Sequence, residues 1–136
     1  MVLEYCNLGN LLNEQVKKPH KVFSYEQTIR IAASILYGLR EIHSNKFVHR
    51  DIKPENILIN NENGEIVYKI ADFGFARPVE NDSAETHCGT SYYMAPEIYA
   101  GRHYGNAVDF WSLGVLMYFM LFGEQPFRSL TKDVEI

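Results

Sequence analysis

Three side chains within one short segment of the sequence have complementary chemistry. The segment runs from His49 to Asn56 and contains Asp51, Lys53 and Asn56. An aspartate can accept a hydroxyl proton, a lysine can neutralise a phosphate oxygen, and an asparagine can coordinate magnesium. Phosphoryl transfer needs this combination, because positioning and charge neutralisation do most of its catalytic work. The segment therefore indicates a phosphoryl-transfer centre.

A second acidic residue, Asp72, follows a predicted strand and stands two positions before a glycine. A carboxylate beside a glycine, which adopts unusual backbone angles, suits a mobile metal ligand. Asp72 and Asn56 can supply part of a magnesium shell that nucleotide oxygens complete. Each residue alone has a plainer interpretation, with Asp72 and Asp51 as turn residues and Lys53 as a solvated charge. Their order along the chain favours the chemical interpretation.

The composition is that of an ordinary globular domain, with 46% hydrophobic and 22% charged residues among 136. The net charge of -4 argues against a protein that binds phosphate backbones, which carries a basic surplus. We therefore expect no nucleic-acid partner. Cys6 and Cys88 lack metal-ligand spacing, and reduced thiols fit a cytoplasmic location, with the nucleus as the alternative.

The N-terminal residues lack the basic and apolar regions of a signal peptide. The most apolar run, Phe110 to Gly123, is shorter than the roughly 20 residues that cross a bilayer. We therefore expect no membrane partner, and the run predicts a buried core helix.

Helical patterns predict the elements that flank the reactive segment. Ser24 and Gln27 fit a capping box, and apolar residues recur at helical spacing after them. These signals predict a long helix over Tyr25 to Ser44. A shorter pattern predicts a helix over Leu11 to Val16, and a final helix is predicted over Asn106 to Phe122.

Strand patterns are short and few. Ile57 to Ile59 and Ile66 to Ile70 predict two strands, and the turn residues of Asn60 to Gly64 join them into a hairpin. Val2 to Cys6 predicts a strand already under way. Asp72 to Pro96 lacks sustained periodicity, which predicts a long functional loop. The predicted fold class is mainly α with a small β-hairpin.

Five motifs occur in an order typical of eukaryotic protein kinases. They are His49-Arg50-Asp51, Asp72-Phe73-Gly74, Ala95-Pro96-Glu97, Asp109 to Gly114, and Glu4-Tyr5-Cys6. Over nearly its whole length the chain resembles the C-terminal lobe of a serine/threonine protein kinase. Among these kinases, the chain resembles the calcium/calmodulin-dependent, autophagy-initiating and cyclic-nucleotide-dependent groups. The resemblance implies that residues 1–136 form a partial kinase domain, with the N-terminal lobe absent.

The resemblance implies the catalytic roles and two cofactors, ATP and Mg²⁺. Asp51 is the implied catalytic base, and Lys53 neutralises charge on the transferred phosphoryl group. Thr90 is implied to contact both of these residues. Asn56 and Asp72 are the implied magnesium ligands.

The resemblance also implies a nucleotide-binding surface. The backbone of Glu4 and Cys6 is implied to bind adenine, with Leu3 at the gatekeeper position and Leu58 packed beneath the ring. Asp109 is implied to brace the catalytic loop through its backbone amides. Structural roles are implied for three further residues, His49, Phe73 and Glu97.

Substrate class and regulation follow from the same resemblance. Lys53-Pro54-Glu55 resembles the pattern of serine/threonine kinases, so a protein with a Ser or Thr acceptor is the implied substrate. Phosphorylation of Thr86 by an upstream kinase is expected to order the loop, with the phosphate paired to Arg50 and Arg77. Ser83 is the alternative phosphorylation site.

Two other functional classes remain as rivals. One is a pseudokinase or truncated C-terminal lobe that acts as a protein-binding module. The other is a structural helical domain without nucleotide chemistry. Because the Gly-rich loop and strand lysine belong to the missing lobe, we expect residues 1–136 alone to have negligible kinase activity. We also expect Glu97 to lack its arginine partner.

Overall fold

The computed structural model describes residues 4–79 and 91–127. The helices of this part are α1 (Leu11–Lys17), α2 (Tyr25–Ser44), α3 (Pro96–Tyr99) and α4 (Ala107–Phe122). The strands are β1 (Phe47–Val48), β2 (Ile57–Glu62), β3 (Glu65–Ile70) and β4 (Arg77–Pro78). Short 3-10 turns cover Pro19–Lys21, Pro54–Asn56 and Ser91–Tyr93. The prediction of a mainly α fold with a small hairpin is confirmed.

Helix α2 has the predicted bounds, Tyr25–Ser44, and the predicted start. The Ser24 hydroxyl accepts a hydrogen bond from the Gln27 amide, and the Gln27 side chain accepts one from the Ser24 amide. This capping box satisfies two amides that the first helical turn leaves without partners. The predictions of α1 and α4 are also confirmed to within one residue.

The β2–β3 hairpin is longer than the sequence predicts. Asn60, Asn61 and Glu62 lie in β2, where Glu62 pairs with Glu65, so the predicted five-residue turn is wrong. The turn itself is Asn63-Gly64, in which both residues have positive φ. The Asn60 Oδ1 accepts the Asn7 amide, and the Asn7 Oδ1 accepts the Asn61 amide, so contacts with a distant segment keep this asparagine-rich stretch extended.

The predicted N-terminal strand is also wrong where the structure describes it, since Glu4 to Cys6 is not a strand. The following residues lie along β2 without forming a regular ladder. The Leu8 amide donates to the Ile59 carbonyl at 3.1 Å, and the Ile59 amide donates to the Gly9 carbonyl at 2.8 Å. A single bridge between Asn10 and Leu58 ends this contact.

The segment from Asp72 to Pro96 is not structureless throughout. Arg77 and Pro78 form β4, which pairs antiparallel with β1, and Ser91–Tyr93 forms a 3-10 turn. Pairing of β4 with β1 holds the stretch after Asp72 beside residues 49–56, which we call the reactive loop. The predictions for Leu3, Ser83, Thr86, Cys88 and Thr90 concern positions outside the described residues.

The main core forms where α2 and α4 pack together with β2. It includes Ile31, Ile35 and Leu39 of α2 and Leu116 and Met120 of α4, all almost completely buried. A second, smaller cluster includes Val48, Ala95, Ile98, Tyr104 and Val108. Burial of each large side chain contributes about 1.5–3 kcal/mol. The two clusters hold the loops that carry the candidate site.

Helix α4 is a core helix, as predicted, but one of its faces is open to solvent. Leu116 is fully buried, whereas Phe110 is 47% exposed and Phe122 is 59% exposed. Apart from Asp109 and Ser112, α4 is almost wholly apolar, so the distribution of its apolar residues does not show which face is left open. Among the helices described in residues 4–79 and 91–127, none combines the length and apolarity that a bilayer span requires.

Candidate active site

The loop between β1 and β2 brings Asp51, Lys53 and Asn56 together. The Asp51 carboxylate is almost fully buried, and its Oδ2 lies 2.9 Å from the Lys53 Nζ. The Asn56 Nδ2 donates to the same Oδ2 and to the Asp51 carbonyl, both at 2.9 Å. Two donors on one oxygen hold the carboxylate in a defined orientation.

Asp109, in the first turn of α4, lies beneath this loop. It is fully buried, and its Oδ2 and Oδ1 accept the backbone amides of His49 and Arg50 at 2.9 and 2.8 Å. Arg50 has a φ of 70°, a left-handed conformation that costs about 1–2 kcal/mol for a residue with a side chain. These two charge-assisted bonds stabilise the strained turn that leads into Asp51.

A residue that sequence reasoning missed, His43, completes the environment of Asp109. Its Nε2 lies 2.7 Å from the Asp109 Oδ2, and its ring meets Phe110 edge-on at 5.3 Å between centroids. His43 occupies the last turn of α2. Since it is 66 positions from Asp109, no local pattern could have indicated the contact.

His49 connects the reactive loop to the segment of Asp72. Its Nε2 lies 3.1 Å from the Ala71 carbonyl oxygen, and its Nδ1 accepts the Asp51 amide at 3.3 Å. A carbonyl only accepts and an amide only donates, so these partners require a neutral ring protonated at Nε2. The Phe73 ring packs edge-on against the imidazole at 5.1 Å between centroids.

Burial lowers the pKa of His49 below its ordinary value of 6.5. We expect the free energy of unfolding to fall as the pH drops below about 6.5, because the unfolded chain takes up the proton first. The loss continues down to the lowered folded pKa and then stops. Urea denaturation across this pH range measures it, and His49→Gln should flatten the profile. His20→Asn, at an exposed histidine, is the control; equal flattening in both variants would contradict the assignment.

Arg50 is buried rather than exposed to solvent. Its Nε donates to the Phe75 carbonyl at 2.7 Å, and its Nη1 donates to the Tyr104 hydroxyl at 2.8 Å. Tyr104 was missed by sequence reasoning, since it lies 54 positions away in a loop. Arg77 is exposed in β4, where it pairs with Val48. The Arg50 side chain is therefore held inside the fold by the Phe75 carbonyl and the Tyr104 hydroxyl.

A cavity of about 790 Å³ lies beside the reactive loop. It brings together four residues with predicted nucleotide or metal roles, Glu4, Cys6, Leu58 and Asp72. Asp72 has a φ of 60°, and its Oδ1 accepts the Gly74 amide at 3.1 Å. The cavity has the size and the mixed lining of a small-molecule site.

The oxygen donors suit a magnesium ion that is completed by a ligand. Donation from the Asn56 Nδ2 to Asp51 leaves the Asn56 Oδ1 as a hard oxygen ligand. The Ala71 amide donates to the Asn56 carbonyl at 2.8 Å, which ties Asn56 to the residue before Asp72. In the described part of the chain, no group of three or more His, Cys, Asp or Glu residues forms a metal site alone.

Glu97 is placed apart from these groups. It lies half-buried in the first turn of α3, and its backbone carbonyl accepts the Arg102 amide at 3.1 Å. Ala95 and Ile98 on either side of it belong to the second core cluster. Glu97 therefore lies in a helix that packs into the second core cluster, which also contains Val48 of β1.

Comparison with known proteins agrees with the motifs. The sequence profile of the protein kinase domain matches residues 1–136. Protein kinase C-like 1 from Caenorhabditis elegans is 43% identical over 137 residues, covering 97% of this chain and 18% of that protein. Serine/threonine-protein kinase ULK1 from Homo sapiens is 42% identical over 137 residues, covering 95% of this chain and 13% of that protein. The chain thus spans less than a fifth of each relative's length. A profile match along the entire chain shows that it belongs to the protein kinase family.

Proposed function

We propose that this chain is the C-terminal lobe of a serine/threonine protein kinase that transfers the γ-phosphoryl group of Mg-ATP to a protein hydroxyl. One observation carries the proposal. The Asp51 Oδ2 is contacted at 2.9 Å by both the Lys53 Nζ and the Asn56 Nδ2. A base, a cation and a metal ligand are thus assembled around one oxygen, as phosphoryl transfer requires.

Asp51 is the proposed base. Its carboxylate accepts the proton of the Ser or Thr hydroxyl while the hydroxyl oxygen bonds to the γ-phosphorus and the bond to the β–γ bridging oxygen breaks. Lys53, next to that carboxylate, neutralises charge on the transferred group. Thr90 is proposed to contact both residues. Asp109 positions the base by holding the amides of the residues before it.

Asn56 and Asp72 are the proposed magnesium ligands. When bound, Mg²⁺ neutralises charge on the phosphate oxygens. The cavity beside them is proposed to take the adenine ring, with the backbone of Glu4 and Cys6 as hydrogen-bonding partners and Leu58 as the apolar floor. Leu3 is proposed as the gatekeeper residue.

Regulation by phosphorylation is proposed for Thr86. A phosphate adds about -1.5 to -2 charges and forms strong bonds with guanidinium groups. Arg50 and Arg77 are the proposed partners, and an upstream kinase is the proposed activator. Because Arg50 donates to the Tyr104 hydroxyl, we propose that the phosphate either replaces this hydroxyl as a partner of Arg50 or binds Arg50 in addition to it.

An assay of phosphoryl transfer to peptides tests the proposed function. The longest natural polypeptide that contains this sequence is incubated with Mg²⁺, γ-labelled ATP and a peptide library with Ser, Thr or Tyr acceptors. We expect label on Ser and Thr peptides, and none when EDTA removes the metal. Nucleotide binding without transfer would instead favour the pseudokinase, and no binding at all would favour a protein-binding module.

A further inference from the structure

A continuous series of hydrogen bonds and ion pairs links the two ends of the segment from Glu4 to Asn7. The Asn7 amide donates to the Asn60 Oδ1 at 3.2 Å, and the Asn60 Nδ2 donates to the Glu62 Oε1 at 3.3 Å. The Lys69 Nζ lies 2.5 Å from the Glu62 Oε1 and 2.5 Å from the Glu4 Oε1. We call these five residues the Lys69 network.

The Lys69 network anchors a segment that has no regular strand pairing of its own. After Asn7, the chain is held to β2 by backbone bonds, and the Asn61 amide donates to the Asn7 Oδ1 at 3.1 Å. Among the described residues before Asn7, the Glu4 carboxylate forms an ion pair with Lys69 of the hairpin. Tyr5, between the two anchors, is 82% exposed. The network therefore supplies the restraint that a strand ladder would otherwise give.

Charge explains why Lys69 is central. It lies between two carboxylates, and its hydrogen bonds with Glu4 and Glu62 raise its pKa well above the ordinary range. The bonds from Lys69 and Asn60 lower the pKa of Glu62. Without the lysine, two carboxylates would be left close together and would repel each other. Glu4 and its backbone would then lose their fixed position.

The position of the network ties it to the cavity. Glu4, Cys6 and Lys69 line the cavity of about 790 Å³, whereas Glu62 is not among its lining residues. We propose that the Lys69 network positions the backbone of Glu4 to Cys6 for nucleotide binding, with Lys69 and Glu62 as positioning residues. This inference rests on the proposed kinase function.

The test measures Mg-ADP binding by calorimetry, together with KM for ATP and kcat, in the longest natural polypeptide that contains this sequence. The variants are Lys69→Met, Glu62→Gln and the double variant. Lys69→Arg retains the charge, and Lys17→Met removes a lysine that pairs with Glu14 on the exposed side of α1. All of these side chains lie at least partly on the surface, so the variants are expected to fold.

We expect Lys69→Met to weaken Mg-ADP binding by about three- to tenfold, with KM raised and kcat unchanged. Glu62→Gln should weaken binding as well, and the double variant should be less than additive because both changes break one network. Lys69→Arg should bind almost as the wild type does, and Lys17→Met should have no effect.

Three results would overturn the inference. The first is that both single variants bind Mg-ADP as tightly as the wild type. The second is that the losses of binding in the two single variants add up in the double variant, which would point to direct contact of Lys69 with the nucleotide. The third is that Lys17→Met loses as much binding as Lys69→Met. Each of these presupposes that the wild type binds Mg-ADP. A wild type that does not bind refutes the proposed function itself, and the network then has no nucleotide to position.

Discussion

Replacing Asp51 with asparagine is expected to lower kcat by about 10²–10⁴-fold while the dissociation constant for Mg-ADP stays near that of the wild type. Asparagine has the same shape as aspartate and can still contact Lys53 and Asn56. It cannot take a proton from a hydroxyl group at neutral pH. The loss should therefore fall on the chemical step rather than on nucleotide binding.

The experiment compares single-turnover rates and nucleotide binding for the wild type and Asp51→Asn. The protein is the longest natural polypeptide that contains this sequence, with a Ser or Thr peptide as acceptor. Glu26→Gln, at an exposed position in the first turn of α2, is a matched loss of one carboxylate. Full activity of Asp51→Asn would show that Asp51 is not the base. Equal losses of activity in Asp51→Asn and Glu26→Gln would point to a general effect of charge.

Replacing Asp109 with asparagine is expected to lower the free energy of unfolding by about 3 kcal/mol or more. The carboxylate is fully buried and accepts bonds from two backbone amides and lies 2.7 Å from the His43 Nε2. An asparagine has one acceptor oxygen, so its amino group must face a donor. At least one buried amide then loses its partner beside the strained Arg50.

Urea denaturation at neutral pH measures this loss, with Glu26→Gln as the control for removal of a charge. His43→Gln should have a smaller effect, since it removes one donor and leaves both backbone amides bonded. The double variant should show coupling, because both changes act on the same Asp109 oxygen. Wild-type stability of Asp109→Asn would show that the loop does not depend on this carboxylate.

Elements that depend on neighbouring residues were predicted well. The bounds of α2 follow from apolar spacing and from a capping box, and both signals lie within the helix or beside it. The β2–β3 hairpin was predicted, but β2 was cut short by three residues. Asn60 is a turn residue by local preference. It remains in the strand where its side chain bonds the Asn7 amide, 53 positions away.

The motifs predicted the family, and the family profile and relatives confirm it. The residue types and their order determined this result, because an aspartate, a lysine and an asparagine occur within one loop at the spacing typical of that family. The roles of Asp51, Lys53, Asn56 and Asp72 stay predictions that the experiments above test. The structure adds the distances that make those roles chemically reasonable.

The sequence by itself determined the family, the main helices and the loop that carries the reactive side chains, since each is encoded by nearby residues. Only the tertiary structure decided which partners hold that loop. His43 meets Asp109 and Arg50 meets Tyr104 across 66 and 54 positions. It also decided that one face of α4 stays exposed and that Lys69 joins Glu4 to the hairpin. These features depend on how distant segments pack, and the spacing of residue types within one segment does not predict that packing.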